Sequence, residues 1–262
     1  MLSFAGFRVR KNPRIPEHFI RDYKLNLAKL RNKPGGFIIS EQLFYDVGVH
    51  PENYVDYECI FASQHVSKIK PDSILDIGSY RHFILGLLSH YQVTSVDVRE
   101  RTPVSENDSV VTCDAKKLTL PDHSFDVVTS LCAIEHFGLG RYGDEFDLTA
   151  DKKAFSEMIR VLKPGGHLIF TTTITNAPPS VVFNGHRIYS HEMIKEFCSG
   201  LTLVEERAFS RSAGVYCDLN EVTREPFIWD VYCGCWKKTS KIIDCHTLYA
   251  MPAARQDDFV LV

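Results

Sequence analysis

The chain has 262 residues, 44% of them hydrophobic and 24% charged, with a formal net charge of -3. That length accommodates one large α/β domain with its own core. The mild acidity excludes a protein whose whole surface is built for nucleic acid, which would be clearly basic.

Residues 1–35 are locally basic. Arg8, Arg10, Lys11, Arg14, Arg21, Lys24, Lys29, Arg31 and Lys33 face only Glu17 and Asp22. A helix is predicted over 17–32, with Phe19, Ile20, Tyr23, Leu27 and Leu30 on one face. It is either an amphipathic helix with a solvated basic face or a basic lid over an anionic substrate or membrane surface. A second helix is predicted from about residue 53, ending before Lys70-Pro71, because proline disfavours helix at the residue before it.

An alternating pattern follows. Strands are expected at Ser73–Ile77, Val93–Val98, Ser109–Cys113, Phe125–Leu131 and His167–Thr173, and helices at Phe83–His90, Asp151–Leu162 and His191–Cys198. Lys163-Pro164-Gly165-Gly166 terminates the Asp151 helix. Leu201–Phe209 and Ile228–Trp236 read as two last strands that could pair antiparallel at the sheet edge. This order predicts an α/β fold, a mainly parallel sheet with helices on both faces. The expected division is an N-terminal extension at 1–52, the α/β domain at 53–238 and an irregular tail at 239–262.

No stretch reaches the roughly 18 apolar residues of a membrane-spanning helix, and no signal peptide is read at the N-terminus. The eight cysteines fall largely in strand-like runs, as small buried hydrophobes do. Cys233-Gly234-Cys235 lacks metal-site spacing, so no metal is expected. Free thiols without an export signal point to a cytoplasmic protein.

In an open α/β sheet, ligands bind beyond the carboxyl ends of the strands. The first such end is Asp76-Ile77-Gly78-Ser79, a turn in which glycine permits close backbone approach. The second ends at Asp97, placed to accept hydrogen bonds from ribose hydroxyls. The third ends at Asp114-Ala115, where a carboxylate and an N–H can meet an adenine ring. Three acidic residues after three successive strands suit either a nicotinamide cofactor or S-adenosylmethionine.

Those segments, with Leu120-Pro121-Asp122-His123-Ser124-Phe125-Asp126-Val127-Val128 and Arg160-Val161-Leu162-Lys163-Pro164-Gly165-Gly166, resemble successive motifs of the class I S-adenosylmethionine-dependent methyltransferases. The resemblance covers about residues 70–210. It implies a Rossmann-like sheet of seven strands with the last antiparallel, and S-adenosylmethionine held by Asp76, Gly78, Ser79, Asp97, Asp114, Ala115 and Cys132. One departure is visible. Ser79-Tyr80-Arg81-His82 stands where that family usually has further glycines, so Arg81 either pairs with the cofactor carboxylate or obstructs the loop.

Ser130–Asp144 and Phe183–Arg187 resemble a narrower, mainly bacterial branch of unknown function, some members of which are associated with surface glycans. That likeness implies a sugar-like substrate, and the leading expectation is transfer to an oxygen of a sugar, nucleotide-linked sugar or related small polar metabolite, from which transfer to a nitrogen or phosphate-linked group is not separated. His136 and His186 are candidate general bases. Glu135, Arg141, Tyr142, Asp144, Asn184 and Arg187 are candidate substrate contacts. The competing expectations are a non-catalytic binding protein that kept the fold and a nicotinamide-dependent oxidoreductase. A homo-oligomer is left open.

Overall fold

Apolar runs that alternate with helices become one sheet covered on both faces. The computed structural model describes residues 3–4, 7–8, 15–32, 35, 38–44 and 53–239. They fall into two units, Met1–Pro51 and Glu52–Val262. The expected tail therefore lies outside the described residues, apart from residue 239.

In the first unit, β1 (Ser3–Phe4) pairs antiparallel with β2 (Phe7–Arg8). The expected helix forms as α1 (Glu17–Asn32), and none of its residues is buried.

The second unit opens with α2 (Tyr54–Ile69). Asn53 accepts a hydrogen bond from the Val55 N–H, and Asp56 accepts one from the Asn53 N–H, which closes a capping box. The helix stops at Lys70, which takes a left-handed conformation just before Pro71. There follow β3 (Ser73–Ile77), α3 (Arg81–Leu87), β4 (Gln92–Asp97), β5 (Asp108–Thr112) and β6 (Phe125–Leu131). A single 3₁₀ turn at Ile134–His136 leads to α4 (Ala150–Val161) and β7 (Leu162–Ile174). A short hairpin, β8 (Ser180–Val182) and β9 (His186–Ile188), precedes α5 (His191–Phe197). The unit closes with β10 (Leu201–Ser210), β11 (Val215–Cys217) and β12 (Asp230–Lys238).

Eight of these strands form one sheet in the order β11-β10-β12-β7-β6-β3-β4-β5. β3 to β7 run parallel, and β12 is antiparallel to both β7 and β10. The expected strand count is corrected. The sheet has eight strands, not seven, because β11 adds to the outer edge of β10. The late pair is antiparallel as expected, and β12, the last strand, lies between β7 and β10. Burial gives the reason. β12 is buried along its first seven residues, whereas Thr202–Val204 of β10 are exposed, and a strand covered on both faces belongs in the interior. The Lys163–Gly166 segment also differs. It is a bulge within β7, where pairing jumps from Phe125–Leu162 to Val127–His167.

Adjacent side chains on one strand feed opposite faces, as the two-residue period requires. Ile74 and Val127 pack with Phe61, Val66, Phe83 and Ile84 of α2 and α3. Leu75 and Val128 pack with Phe155, Met158 and Ile194 of α4 and α5. With both faces sealed, the carboxyl edge of the parallel strands is left to hold a ligand.

Candidate active site

A cleft enclosing about 630 Å³, part of it open to solvent, lies at that edge. Its walls include Gly78 after β3, Asp97 after β4, Asp114 and Ala115 after β5, and Cys132 and His136 after β6. Sheet order therefore sets the cleft's polarity. The carboxylates stand at the β4–β5 end and His136 at the β6 end, two strands away from Asp97 and three from Asp114.

Gly78 has φ +74°, and a Cβ there would sit 3.0 Å from the Ala133 Cβ. The turn passes close under the cleft because there is no side chain. Asp76 and Ser79 hold that turn from beneath. Asp76 is fully buried and accepts hydrogen bonds from the Ser79 N–H at 3.1 Å and the Thr129 hydroxyl at 2.7 Å. Burial pushes its carboxyl up to about 6, against the lowering effect of those bonds. Ser79 Oγ accepts from the Leu131 N–H at 3.0 Å. Neither residue lines the cleft, so both position the loop.

Arg81 is the clearest departure from expectation. Its Nη2 lies 3.1 Å from Asp108 Oδ2, and it is not among the cleft's walls. A buried carboxylate at the start of β5 needs a cation more than an open loop does. The expected pairing of Arg81 with a cofactor carboxylate is therefore not what this geometry provides.

Asp97 lines the cleft, but Arg99 holds both its oxygens. Arg99 Nε reaches Oδ1 at 2.9 Å and Nη2 reaches Oδ2 at 2.8 Å. Burial alone would raise the Asp97 carboxyl, and the Arg99 hydrogen bonds outweigh it, so it is held below its ordinary value. Asp114 accepts from the Lys116 N–H at 2.9 Å and pairs with the Lys116 ammonium at 3.3 Å. Arg99, which the sequence reading missed, forms part of the wall and lies over the Tyr142 ring at 4.9 Å.

The Gly138–Asp144 loop covers the opposite side. Asp144 accepts hydrogen bonds from the Gly138 and Tyr142 N–H groups, at 2.7 and 3.1 Å. It caps its own loop and also lines the cleft. Arg187, expected to touch substrate, is buried. It donates to the carbonyls of Phe137 at 2.6 Å and Asp147 at 3.4 Å. Its role is to tie this loop to β9. Asn184 is exposed in the β8–β9 turn.

His136 lines the cleft, and its Nδ1 lies 2.6 Å from the Gly185 carbonyl. A carbonyl only accepts, so Nδ1 carries the proton and Nε2 is left as an acceptor. Burial lowers the imidazole pKa to about 4, so it is neutral near pH 7. His186 stands with its ring centroid 6.3 Å from that of His136, and its buried Nε2 has no partner among the described residues.

Beneath them lie two carboxyl groups. Glu58 accepts from the Thr171 hydroxyl at 2.7 Å, and Glu135 accepts from the Thr172 hydroxyl at 3.0 Å. Burial pushes Glu58 up to about 7 and Glu135 up to about 8. Burial also drives the Cys132 thiol well up, so it is not a thiolate nucleophile.

These raised values make stability depend on pH. Between about 4.5 and 8, folded Glu135 holds a proton that the unfolded chain has released, so stability falls as pH rises through that window. Histidines with lowered pKa values act in the opposite sense, but only below their unfolded value of about 6.5. Urea unfolding from pH 6.5 to 8.5 is thus expected to show falling stability, and Glu135→Gln a shallower slope. An unchanged slope in the variant would contradict the protonated carboxyl.

Among the described residues no three His, Cys, Asp or Glu side chains gather as a metal site. No described helix is long and apolar enough to cross a membrane. The described cysteines are free thiols, and Cys245 lies outside the described residues.

Residues 75–170 match the family described as Methyltransferase domain. A malonyl-(acyl-carrier protein) O-methyltransferase of Marinomonas sp. (strain MWYL1) is 26% identical over 146 residues, covering 50% of each chain. A ubiquinone/menaquinone biosynthesis C-methyltransferase of Pseudomonas paraeruginosa (strain DSM 24068 / PA7) is 35% identical over 91 residues, 35% of this chain and 31% of that one. The chain thus spans half or less of the length of these curated relatives. Among solved structures, the 1,6-didemethyltoxoflavin-N1-methyltransferase of Burkholderia thailandensis, with 1,6-didemethyltoxoflavin and S-adenosylhomocysteine bound, superposes with TM-score 0.55 at 15% identity, covering 88% of this chain and 93% of that one. The 4+2 cyclase SpnF superposes with TM-score 0.54 at 16% identity, covering 84% and 95%. At such identities these likenesses show the fold alone, and the cyclase shows that this fold also carries other chemistry.

Proposed function

We propose that this chain, a class I S-adenosylmethionine-dependent methyltransferase by its domain match and fold, transfers a methyl group to an oxygen or nitrogen of a small polar acceptor. The observation that carries this is the order of groups along one cleft. Asp114 and Asp97 stand at one end, the side-chain-free Gly78 turn in the middle, and a neutral imidazole at the other.

The residues fit the cofactor. Asp97 suits vicinal ribose hydroxyls, and Asp114 with Ala115 suits an adenine edge, between apolar walls from Ile77, Val96 and Phe137. When bound, S-adenosylmethionine supplies an electrophilic methyl group. His136 Nε2 takes the proton of the acceptor hydroxyl or amine, while its Nδ1–H stays on the Gly185 carbonyl and fixes the ring. The Gly138–Asp144 loop and Phe137 exclude water from that end of the cleft. A sugar-like acceptor remains compatible with these polar and aromatic walls. The domain match over residues 75–170 displaces the nicotinamide alternative.

The Arg99–Asp97 pairing favours a second reading, in which the cleft no longer admits a cofactor. Calorimetry with S-adenosylmethionine and S-adenosylhomocysteine separates the two, since saturable binding of either is expected only under the first. Release of S-adenosylhomocysteine, assayed across hydroxyl- and amine-bearing acceptors, then tests transfer. His136→Gln keeps a donor for Gly185 but removes the base. It is expected to slow turnover by about 10²- to 10³-fold, with S-adenosylhomocysteine affinity within about threefold of the parent. A variant as fast as the parent would mean that alignment alone drives the reaction.

A further inference from the structure

Beyond the β6 end of the cleft, ring contacts continue outward from His136. His186 follows, then Trp229 at 5.7 Å from His186, then Tyr54 at 5.5 Å from Trp229. Two guanidinium groups flank His186. On one side Arg141 donates to the carbonyl of neighbouring Gly185 at 3.2 Å. On the other, Arg211 lies over the Trp229 ring at 3.8 Å and donates to the Trp229 carbonyl at 3.3 Å.

Neither arginine has a carboxylate partner among the described residues. Other arginines around the site are paired. Arg81 is held by Asp108, and Arg99 and Arg101 by Asp97. Burial lowers the His186 imidazole pKa, and the charges of Arg141 and Arg211 lower it further. Glu58 and Glu135, beneath the same end of the cleft, are raised toward neutrality by burial and do little to offset this positive charge. The result is two guanidiniums without carboxylate partners among the described residues, near His186 and bordered by aromatic faces.

We propose, resting on the methyltransferase assignment above, that the methyl acceptor is an anion, and that its phosphate or carboxylate is held by Arg141 and Arg211 while its ring packs on Trp229 and Tyr54. Guanidinium groups match such oxygens in planar, bidentate geometry. His186, with its Nε2 buried, then only lies between the two guanidiniums and His136 alone serves as base, although the sequence put both forward for that role. Two kinds of anion share this chemistry, a phosphorylated sugar and an aromatic acid or phosphate.

Calorimetry on the full chain saturated with S-adenosylhomocysteine tests the site. The probes are glucose 1-phosphate and phenyl phosphate, each paired with its neutral counterpart, methyl glucoside and phenol. At least one phosphate probe is expected to bind about tenfold or more tighter than its counterpart. Which one does so separates sugar from arene. Arg211→Gln and Arg141→Gln are each expected to weaken that probe about fivefold or more and to leave S-adenosylhomocysteine affinity within twofold. The proposal is overturned if no phosphate probe binds, if the neutral compounds bind equally well, or if both variants bind the phosphate probes like the parent. Near-ultraviolet circular dichroism of each variant checks that it is folded. Failure of S-adenosylhomocysteine to bind in the first titration would instead strike the cofactor assignment. The phosphate titrations repeated without it would still report on the arginines.

Discussion

Asp97→Ala is expected to raise the Kd for S-adenosylhomocysteine roughly 30- to 150-fold. A carboxylate accepting from two hydroxyls makes charge-assisted hydrogen bonds, and losing them costs about 2–3 kcal/mol, or about tenfold for each 1.4 kcal/mol. In the structure both Asp97 oxygens are taken by Arg99, so a nucleoside must displace or share that guanidinium. The pairing adds a control. Arg99→Ala frees the carboxylate, and affinity is expected to stay level or rise, opposite in direction to Asp97→Ala. Asp97→Asn keeps one acceptor and is expected to fall between alanine and the parent. Equal affinity in Asp97→Ala and parent would remove the ribose assignment and with it the polarity proposed for the cleft.

Gly138→Ala is expected to be the most destabilising single-methyl change near the site. The residue has φ +70°, and an added Cβ would lie 2.3 Å from the Asp147 carbonyl oxygen and 2.4 Å from the Ala150 Cβ. Both neighbours are fixed. Asp147 O also receives Arg187, and Ala150 opens α4 and is fully buried. A left-handed non-glycine residue costs about 1–3 kcal/mol, and overpacking a rigid wall costs about 1–3 kcal/mol more. The sum, roughly 2–6 kcal/mol, corresponds to a fall in Tm of about 4–24 °C for a domain of this size. Gly86→Ala provides the control. It lies in α3 with ordinary helical geometry and nothing within 4 Å of its added methyl. It is expected to be neutral or to stabilise by about 0.5–1 kcal/mol. A Gly138→Ala protein as stable as the parent would mean that the loop moves freely off α4.

Much of the fold was legible in the sequence because its signals are local. The spacing of Phe155, Met158, Ile159 and Leu162 marked α4 within a residue at each end. Phe125–Leu131 marked β6 to the residue, because a short apolar run between turn residues admits few other readings. The ordered ends Asp76-Ile77-Gly78, Asp97 and Asp114-Ala115 placed one side of the cleft, since each carboxylate closes a strand and parallel strands share one carboxyl edge. The β8–β9 hairpin and β11 were not read. Both are three residues long and carry no clear period, so only their pairing partners define them.

Roles within the site were less legible, because a side chain's partner is chosen across the fold. Arg81, Asp144 and Arg187 have residue types that suit a ligand. In the structure Arg81 answers a buried carboxylate, Asp144 the N–H groups of its own loop, and Arg187 three loop carbonyls. Trp229, Tyr54 and Arg211 come from three distant stretches and could not be grouped by spacing. Composition, periodicity and turn chemistry thus determined the layered α/β architecture and the carboxyl edge where the cleft lies, since those depend on neighbours along the chain. Tertiary packing decided that β12 lies inside the sheet, that the Gly78 turn is held from below by Asp76 and Ser79, and that two arginines near His186 have no carboxylate partner among the described residues. Burial and charge pairing are settled only between segments that the fold brings together.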